Sequence, residues 1–518
     1  MSSPARKLLR ASTVIFLFTI LGFILEYGVR AVLANTFGDS ESMDAFLLAT
    51  AIPVWIVTVL ITTFHKSYIP LYTELRVSQN DDSRHRLTSN IVNIFSAGLS
   101  LVVIVAIVSA WIVVPWVLPH RSPEFQNLVR EILQIVLPFI AFSGVMSIGL
   151  SVLYAQKKFF VASFSIFLQK LLYFVLLLAL SSGLGIFAPA YAMTLSGLAA
   201  LIVVLGYLTV TRKLRYSPAL SLTDIHTRKF FRLFLPLIIG ALIYKSVTVI
   251  DQYMAAWLET GSVTYIALSR LVIMVPIGLV GTTIATALFP DLSEASANRN
   301  LNSLRSSILL GVRLAVFAIL PIMIVIGFAN QPIIQLLFQH GEFSLSASTA
   351  TAQALLFNLG FLFGATVGAL LSNTLYALQK MKTVVAIGSI GAIANIIANL
   401  LLIPSLGYLG VALGASIGSL LTAALFVIVI RKIITGWKAR DFLPFGKMLV
   451  AALLSAGLTW WLKQYFQEVA VLGQIIWISL VTASTYLAAS YLLRVNELTG
   501  IIKVILKREK RTPSQPQS

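Results

Sequence analysis

The 518-residue chain has no cysteine and only five histidines, and charged residues make up 11% of it, where a soluble domain carries about 25%. Without cysteine, disulfides, thiol redox chemistry, iron–sulfur clusters and cysteine-ligated zinc are excluded. The histidines (His65, His85, His120, His226, His340) fall in predicted loops or at helix ends and form no HExxH motif. No GxxxxGK[ST] phosphate loop is present, so ATP hydrolysis by that route is excluded. A transporter of this sequence draws on a gradient, the membrane potential or a partner.

Hydrophobic residues dominate instead, at 58%, with a mean hydropathy of +0.91. Apolar runs of roughly 18 residues or more recur along the chain, each long enough to cross a hydrocarbon core of about 30 Å. They do not alternate with period two, which excludes a β-barrel. The fold class is therefore an all-α polytopic membrane protein of about 14 transmembrane helices. The spans are expected near 13–34, 44–64, 90–114, 131–154, 159–182, 187–210, 231–257, 262–289, 307–328, 349–378, 383–403, 408–430, 448–462 and 475–493. The first span runs on through Glu26 and Arg30 without a cleavage site, so a cleaved signal peptide is not expected.

Lysine and arginine set the orientation. With the N-terminus inside, the inner segments hold 29 basic residues and the outer loops only Arg121, Arg130 and Lys463. Both termini are then cytoplasmic. The same asymmetry accounts for the net charge of +19. Basic residues spread over alternate loops disfavour nucleic acid and suit anionic membrane lipids.

The two halves repeat. Ser151-Val-Leu-Tyr154-Ala-Gln-Lys157-Lys158 matches Asn373-Thr-Leu-Tyr376-Ala-Leu-Gln-Lys380, with the tyrosines 222 apart. Pro53 and Pro70 match Pro276 and Pro290 at offsets of 223 and 220. Six spans per copy is an even number, so the copies are parallel, an arrangement used by transporters. The expected domains are an N-terminal six-helix lobe (1–215), a C-terminal six-helix lobe (216–435), two additional helices (436–495) and a basic cytoplasmic tail (496–518).

Seven ionisable residues sit at bilayer depth, where each costs at least ~2.5–3.5 kcal/mol on insertion scales unless it faces protein or water. They are Glu26, Arg30, Lys170, Lys245, Asp251, Arg270 and Arg313. Glu26 and Arg30 are four apart and can pair along their own helix. Arg313 lies near the inner end of its span, where snorkelling is expected. Arg30, Lys170, Lys245 and Arg270, with Glu26, are the candidate substrate-cavity residues. Their positive balance selects an anion, and arginine forks suit phosphate or diphosphate. A drug-cation exporter would need the opposite balance. A membrane enzyme would need sizeable outer loops, and these are short. Asp251, Asn395, Asn399 and Ser416 offer hard oxygen ligands for an alkali cation. The alternative is that the asparagines join helices by hydrogen bonds.

Several words in order resemble the MurJ/MviN family of lipid II flippases, of the MATE-like (MOP) superfamily. Phe37-Gly38…Asp44-Ala-Phe46 is similar to that family's link between helices 1 and 2. Ala267-Leu-Ser-Arg270-Leu…Pro276…Phe289-Pro-Asp-Leu-Ser293 is similar to its eighth helix. Leu336-Leu-Phe-Gln-His-Gly341-Glu-Phe343 and Asn399-Leu-Leu-Leu-Ile-Pro404-Ser-Leu-Gly407-Tyr-Leu-Gly410 resemble its motifs before helix 10 and between helices 11 and 12.

The resemblance implies a cationic cavity, a hydrophobic groove from the last two helices and export of a polyprenyl-pyrophosphate-linked saccharide across the bacterial cytoplasmic membrane. Partners in cell-envelope biosynthesis follow from it. So does a sodium site at Asp251, Asn395 and Asn399, or coupling to the membrane potential, with no other cofactor. Arg270 matches a cavity arginine of the family. The family's first helix usually carries Ser-Arg before Leu-Gly and Arg-Asp after it; here Thr19-Ile20 precede Leu21-Gly22 and Arg30 is shifted. Its second helix usually carries an arginine pair, where this chain has the uncharged Val54-Trp-Ile-Val-Thr-Val-Leu-Ile61. Lys170 and Lys245 are the candidates to replace the missing charges. A flippase for an exopolysaccharide or O-antigen repeat unit is the alternative, ahead of a multidrug or cation antiporter.

Overall fold

The computed structural model describes residues 4–77, 81–211, 216, 220–465 and 469–498. Among these there are helices and turns and no strand. Fourteen helices are long and apolar enough to cross a membrane: α1 (Leu17–Phe37), α2 (Glu41–Arg76), α3 (Asp81–Val117), α4 (Pro123–Ala155), α5 (Phe159–Leu184), α6 (Phe187–Val210), α7 (Ile225–Ala255), α8 (Ser262–Ala297), α9 (Leu301–Phe338), α10 (Leu359–Ala377), α11 (Met381–Leu406), α12 (Tyr408–Ile433), α13 (Ala439–Lys463) and α14 (Val471–Leu492). A further short helix, Leu345–Phe357, precedes α10. Most of the basic tail lies outside the described residues.

The helix interruptions have local causes. Pro138 cannot donate a backbone hydrogen bond, and α4 breaks between Val136 and Pro138. In α8 the stretch Ile277–Thr282 after Pro276 is π-helical. α9 bends at Ala329, three residues before Pro332. Pro332 leaves the Phe328 carbonyl without its helical donor, and Lys463 Nζ of α13 donates to it at 2.9 Å.

The backbone repeats as the sequence does. Left-handed turns occur at Gly38 and Gly261, at Lys157 and Gln379, and at Gly185 and Gly407, pairs separated by 223, 222 and 222 residues. The turns at Lys157 and Gln379 close identically. Lys157 N donates to Tyr154 O and Lys158 N to Leu153 O; Gln379 N donates to Tyr376 O and Lys380 N to Leu375 O. These are Schellman closures of a helix C-terminus. Arg299 and Arg494 end α8 and α14 in the same way.

The chain forms two compact units: residues 1–264 with 340–344, and residues 265–339 with 345–518. In the first, α2 and α4 are central, with 61% and 78% of their apolar windows buried, whereas α3, at 17%, presents most of its surface outward. α7, which follows the 215/216 boundary read from the sequence, packs on α2 and α3 in this unit. An aromatic cluster holds it there: Phe64 of α2 lies 4.6 Å from Phe95 of α3 and 5.9 Å from Phe230 of α7, and Phe95 lies 5.2 Å from Phe234. Each such ring pair adds ~0.5–1.5 kcal/mol beyond the area it buries.

The second unit is drawn together by glycine. A Cβ at Gly281 of α8 would lie 3.0 Å from Thr366 Cα, at Gly364 of α10 2.6 Å from the Ser419 carbonyl carbon, and at Gly410 of α12 2.7 Å from the Leu402 carbonyl carbon. Backbones thus touch directly, as in small-residue seams between membrane helices. Gly410→Ala must push α11 and α12 apart, an overpacking cost of ~1–3 kcal/mol. Gly98→Ala in α3 meets nothing within 4 Å. Thermal unfolding of the purified protein should therefore show a melting temperature lowered by several degrees for Gly410→Ala and unchanged or raised for Gly98→Ala.

Candidate functional site

One face of α2 does not suit hydrocarbon. Val57, Val59, Leu60, Phe64 and Tyr68 are buried in the first unit. Val54, Thr58 and Lys66 are exposed, and Thr62 between them is half-buried. These four recur every fourth residue and form one stripe. The Thr58 and Thr62 hydroxyls donate to the carbonyls of Val54 and Thr58, at 2.8 and 2.9 Å, which leaves their oxygens free to accept. Lys245 of α7 uses one, donating to Thr62 Oγ1 at 3.3 Å. Lys66 lies within electrostatic reach of Lys245. Two ammonium groups and a row of hydroxyls thus share one face of the unit.

Glu26 pairs between helices. Its Oε2 accepts from Lys170 Nζ of α5 at 2.8 Å, in place of the pairing with Arg30 that the spacing allowed. The lysine stem lies on buried Gly22, where a Cβ would sit 3.3 Å from Lys170 Cδ. Half-buried Arg30 stands, with Glu26, within electrostatic reach of Tyr173.

In the second unit Arg270 is 5% exposed, with its guanidinium 5.4 Å from the centre of the Phe361 ring of α10. Arg313 donates to the Asp441 carbonyl at 2.7 Å and lies 3.9 Å from Glu497, joining α9 to the start of α13. An apolar groove of about 430 Å³ lies among α8, α9 and α14, lined by Ile284, Leu314, Phe317, Pro321, Tyr486 and Leu487.

The four oxygen ligands expected for sodium are divided. Asp251 belongs to the first unit; Asn395, Asn399 and Ser416 belong to the second. All four are buried. Ser416 is committed elsewhere: it donates to Phe357 O at 2.5 Å and accepts from Phe361 N at 3.0 Å, bridging the break before α10. Asn395 is 1% exposed, and its amide nitrogen and oxygen have no hydrogen-bond partner among the described residues. A buried amide left so costs ~1–3 kcal/mol. The Asn399 oxygen lies over Gly414, where a Cβ would come within 1.9 Å. Asn395 and Asn399 stand one turn apart in α11, while Ser416 bonds the backbone at the break before α10.

The profile of the family described as "Lipid II flippase MurJ" matches residues 33–481. The chain belongs to the lipid II flippase MurJ family. A "Probable lipid II flippase MurJ" from Haemophilus influenzae is 26% identical over 511 residues, 92% of this chain and 98% of that one. Its counterpart from Vibrio cholerae is 23% identical over 81% of this chain and 82% of its own. The solved structure "Lipid II flippase MurJ, inward closed conformation" superposes with a TM-score of 0.78 at 22% identity, covering 94% of this chain and 99% of that one. An inward-facing multidrug resistance MATE transporter of the MOP superfamily superposes at 0.70 and 16% identity, over 80% and 94%.

Within the MurJ family frame, two groups escaped the sequence reading. Lys66 lies just past the expected second span, and α2 runs on unbroken beyond it to Arg76. Asp44, quoted above only as part of a motif, is fully buried and organises the turn before α8. It accepts from Gly261 N at 2.8 Å, from Thr264 N at 2.9 Å and from Thr264 Oγ1 at 2.6 Å. It thereby satisfies the first amides of α8, where helix N-termini favour a carboxylate. Arg121 holds the other side of the turn, donating to the Ala256 and Leu258 carbonyls at 2.7 and 3.0 Å. Asp44→Ala should expose these amides. Hydrogen exchange should accelerate at Gly261 and Thr264 by roughly tenfold, from ~1–2 kcal/mol of lost capping, while the core of α4 stays protected.

Proposed function

We propose that this protein moves a polyprenyl-diphosphate-linked saccharide, lipid II or a close relative, from the cytoplasmic to the outer leaflet of the bacterial cytoplasmic membrane by alternating access. The observation that carries the anionic substrate class is the α2 face, where Lys66 and Lys245 stand beside Thr58 and Thr62. Two ammonium groups favour a diphosphate and repel a cation, so a cation antiporter on the same fold fits this face poorly. Arg270, matched to a family cavity arginine, supplies the second unit's positive charge. The groove among α8, α9 and α14 suits the prenyl chain, because its lining is apolar.

The driving force follows from the charges. A potential negative inside favours return of a cationic face towards the cytoplasm, at ~2.3 kcal/mol per charge per 100 mV. Asn395 and Asn399 are the residues we assign to a sodium ion, which would supply a positive charge to be compensated when bound. In that case sodium chloride, against potassium chloride, should raise the melting temperature of the protein, and Asn395→Ala should abolish the difference. Equal melting in both salts would remove sodium from the scheme.

Flipping is tested in vesicles carrying the protein and a labelled lipid-linked saccharide. Neutralising one charged hydrogen bond costs ~1.5–3 kcal/mol, so Lys66→Met with Lys245→Met should slow flipping by ten- to a hundredfold. Arg270→Glu should abolish it. Full activity in both would refute the assignment. Because the chain has no cysteine, single-cysteine variants report orientation directly. His120→Cys should react with an impermeant maleimide in intact cells opened only at the outer envelope, and His226→Cys only after lysis.

A further inference from the structure

The first unit holds a second polar pocket, of about 130 Å³, between α1, α4 and α5. Three helices each supply one hydroxyl: Thr19 from α1, Tyr154 from α4 and Ser163 from α5, with Lys170 beside them and Phe18 and Phe167 as apolar walls. We propose that this pocket binds a lipid phosphate, with Lys170 as the anchoring cation and the polar wall of Tyr154 and Ser163 beside it.

The charge balance supports an anion. An ammonium has three protons. Lys170 gives one to Glu26 at 2.8 Å and approaches the Gly22 carbonyl at 3.4 Å, which leaves donor capacity for a ligand. Glu26, Arg30 and Lys170 together carry one net positive charge at bilayer depth, and a phosphate monoanion would compensate it. The Glu26 carboxylate opposes an anion, but it is already satisfied by the lysine it shares.

Position and size define the ligand. Counting from Phe159 at the start of α5, Ser163 is about 6 Å along the helix and Lys170 about 16 Å. The pocket therefore reaches from headgroup level towards mid-membrane, starting at the end marked by Lys157 and Lys158. Its volume equals the share of about four waters, enough for a phosphate group and too small for a disaccharide. Outside it, Phe160 and Phe164 are exposed and stack in parallel with centroids 6.0 Å apart. Phe160 also meets Phe18 edge-on at 5.6 Å. An acyl or prenyl chain can lie along these rings. The His65–Tyr154 ring contact, at 5.0 Å, joins α2 to the α4 wall of the pocket; Lys245 and Thr62 are not part of its lining.

The test is native mass spectrometry of the full-length protein in mild detergent with phosphatidylglycerol, and with diacylglycerol as the phosphate-free comparison. One phosphatidylglycerol should persist under activation that strips diacylglycerol. Lys170→Met should weaken its retention at least ~tenfold, whereas Lys382→Gln, an exposed lysine elsewhere, should not. Because Lys170→Met leaves Glu26 alone, Glu26→Gln with Lys170→Met supplies a neutral pair and should show the same loss. Millimolar inorganic phosphate distinguishes sources: displacement of the lipid assigns the site to the phosphate alone, and resistance assigns it to phosphate with its chain. Equal retention in wild type and both Lys170 variants, or equal retention of diacylglycerol, would overturn the site. Normal flipping in the Lys170 variants would leave the substrate assignment on α2 intact.

Discussion

A cation inside a membrane helix has to be held by something, and here the holder is usually a different helix. Lys170 of α5 is bonded to Glu26 of α1, Lys245 of α7 to Thr62 of α2, Arg313 of α9 to the carbonyl at the start of α13, and Lys463 of α13 to a carbonyl that proline freed in α9. Lys170 and Lys245, which we propose meet anions, therefore also help decide which helices are fastened together. Removing one alters both, because a charge left without its partner in hydrocarbon costs more than the lost contact.

Glycine allows close approach in both units, and between the helices of the second it also brings backbone onto backbone. In the first, glycines receive side chains: Gly144 faces Leu99, Gly149 faces Val204 and Gly197 faces Phe139. Phenylalanines bind α7 to α2 and α3. In the second, backbone meets backbone at Gly281, Gly364, Gly410 and Gly418. Side chains can change rotamer, and touching backbones cannot. The amide of Asn395 is set in this stiffer seam, where an unsatisfied amide has least freedom to find a partner by moving.

Much of this was legible beforehand, for physical reasons. Apolar runs must match the membrane thickness, so all fourteen spans could be read, and the repeat appears in words such as Leu-Tyr-Ala before it appears in the turns at Lys157 and Gln379. Pairings were less legible. Spacing says that Glu26 can reach Arg30; it cannot say that Lys170, 144 positions away in sequence, is nearer. Lys66 was hidden because hydropathy treats a lysine as the end of a span, although an exposed Thr-Thr-Lys stripe at fourfold spacing in a long helix is itself a cavity signal. A hydroxyl on a membrane helix, such as Ser416, repairs a broken neighbouring backbone as readily as it ligates an ion.

The left-handed turns have a consequence for how the chain enters the membrane. Five turns, after α1, α5, α7, α9 and α11, use glycine: Gly38, Gly185, Gly261, Gly341 and Gly407. At the opposite ends of the helices, apart from Gly436, a positive φ is taken by Lys157, Arg299, Gln379 and Arg494, although a side chain there costs roughly 1–2 kcal/mol over glycine. Strain is accepted where glycine would have been easier, and three of the four residues that accept it are cations. Lys157 and Arg299 thus put a basic residue, the cue that orients a span, inside the bend between two consecutive spans.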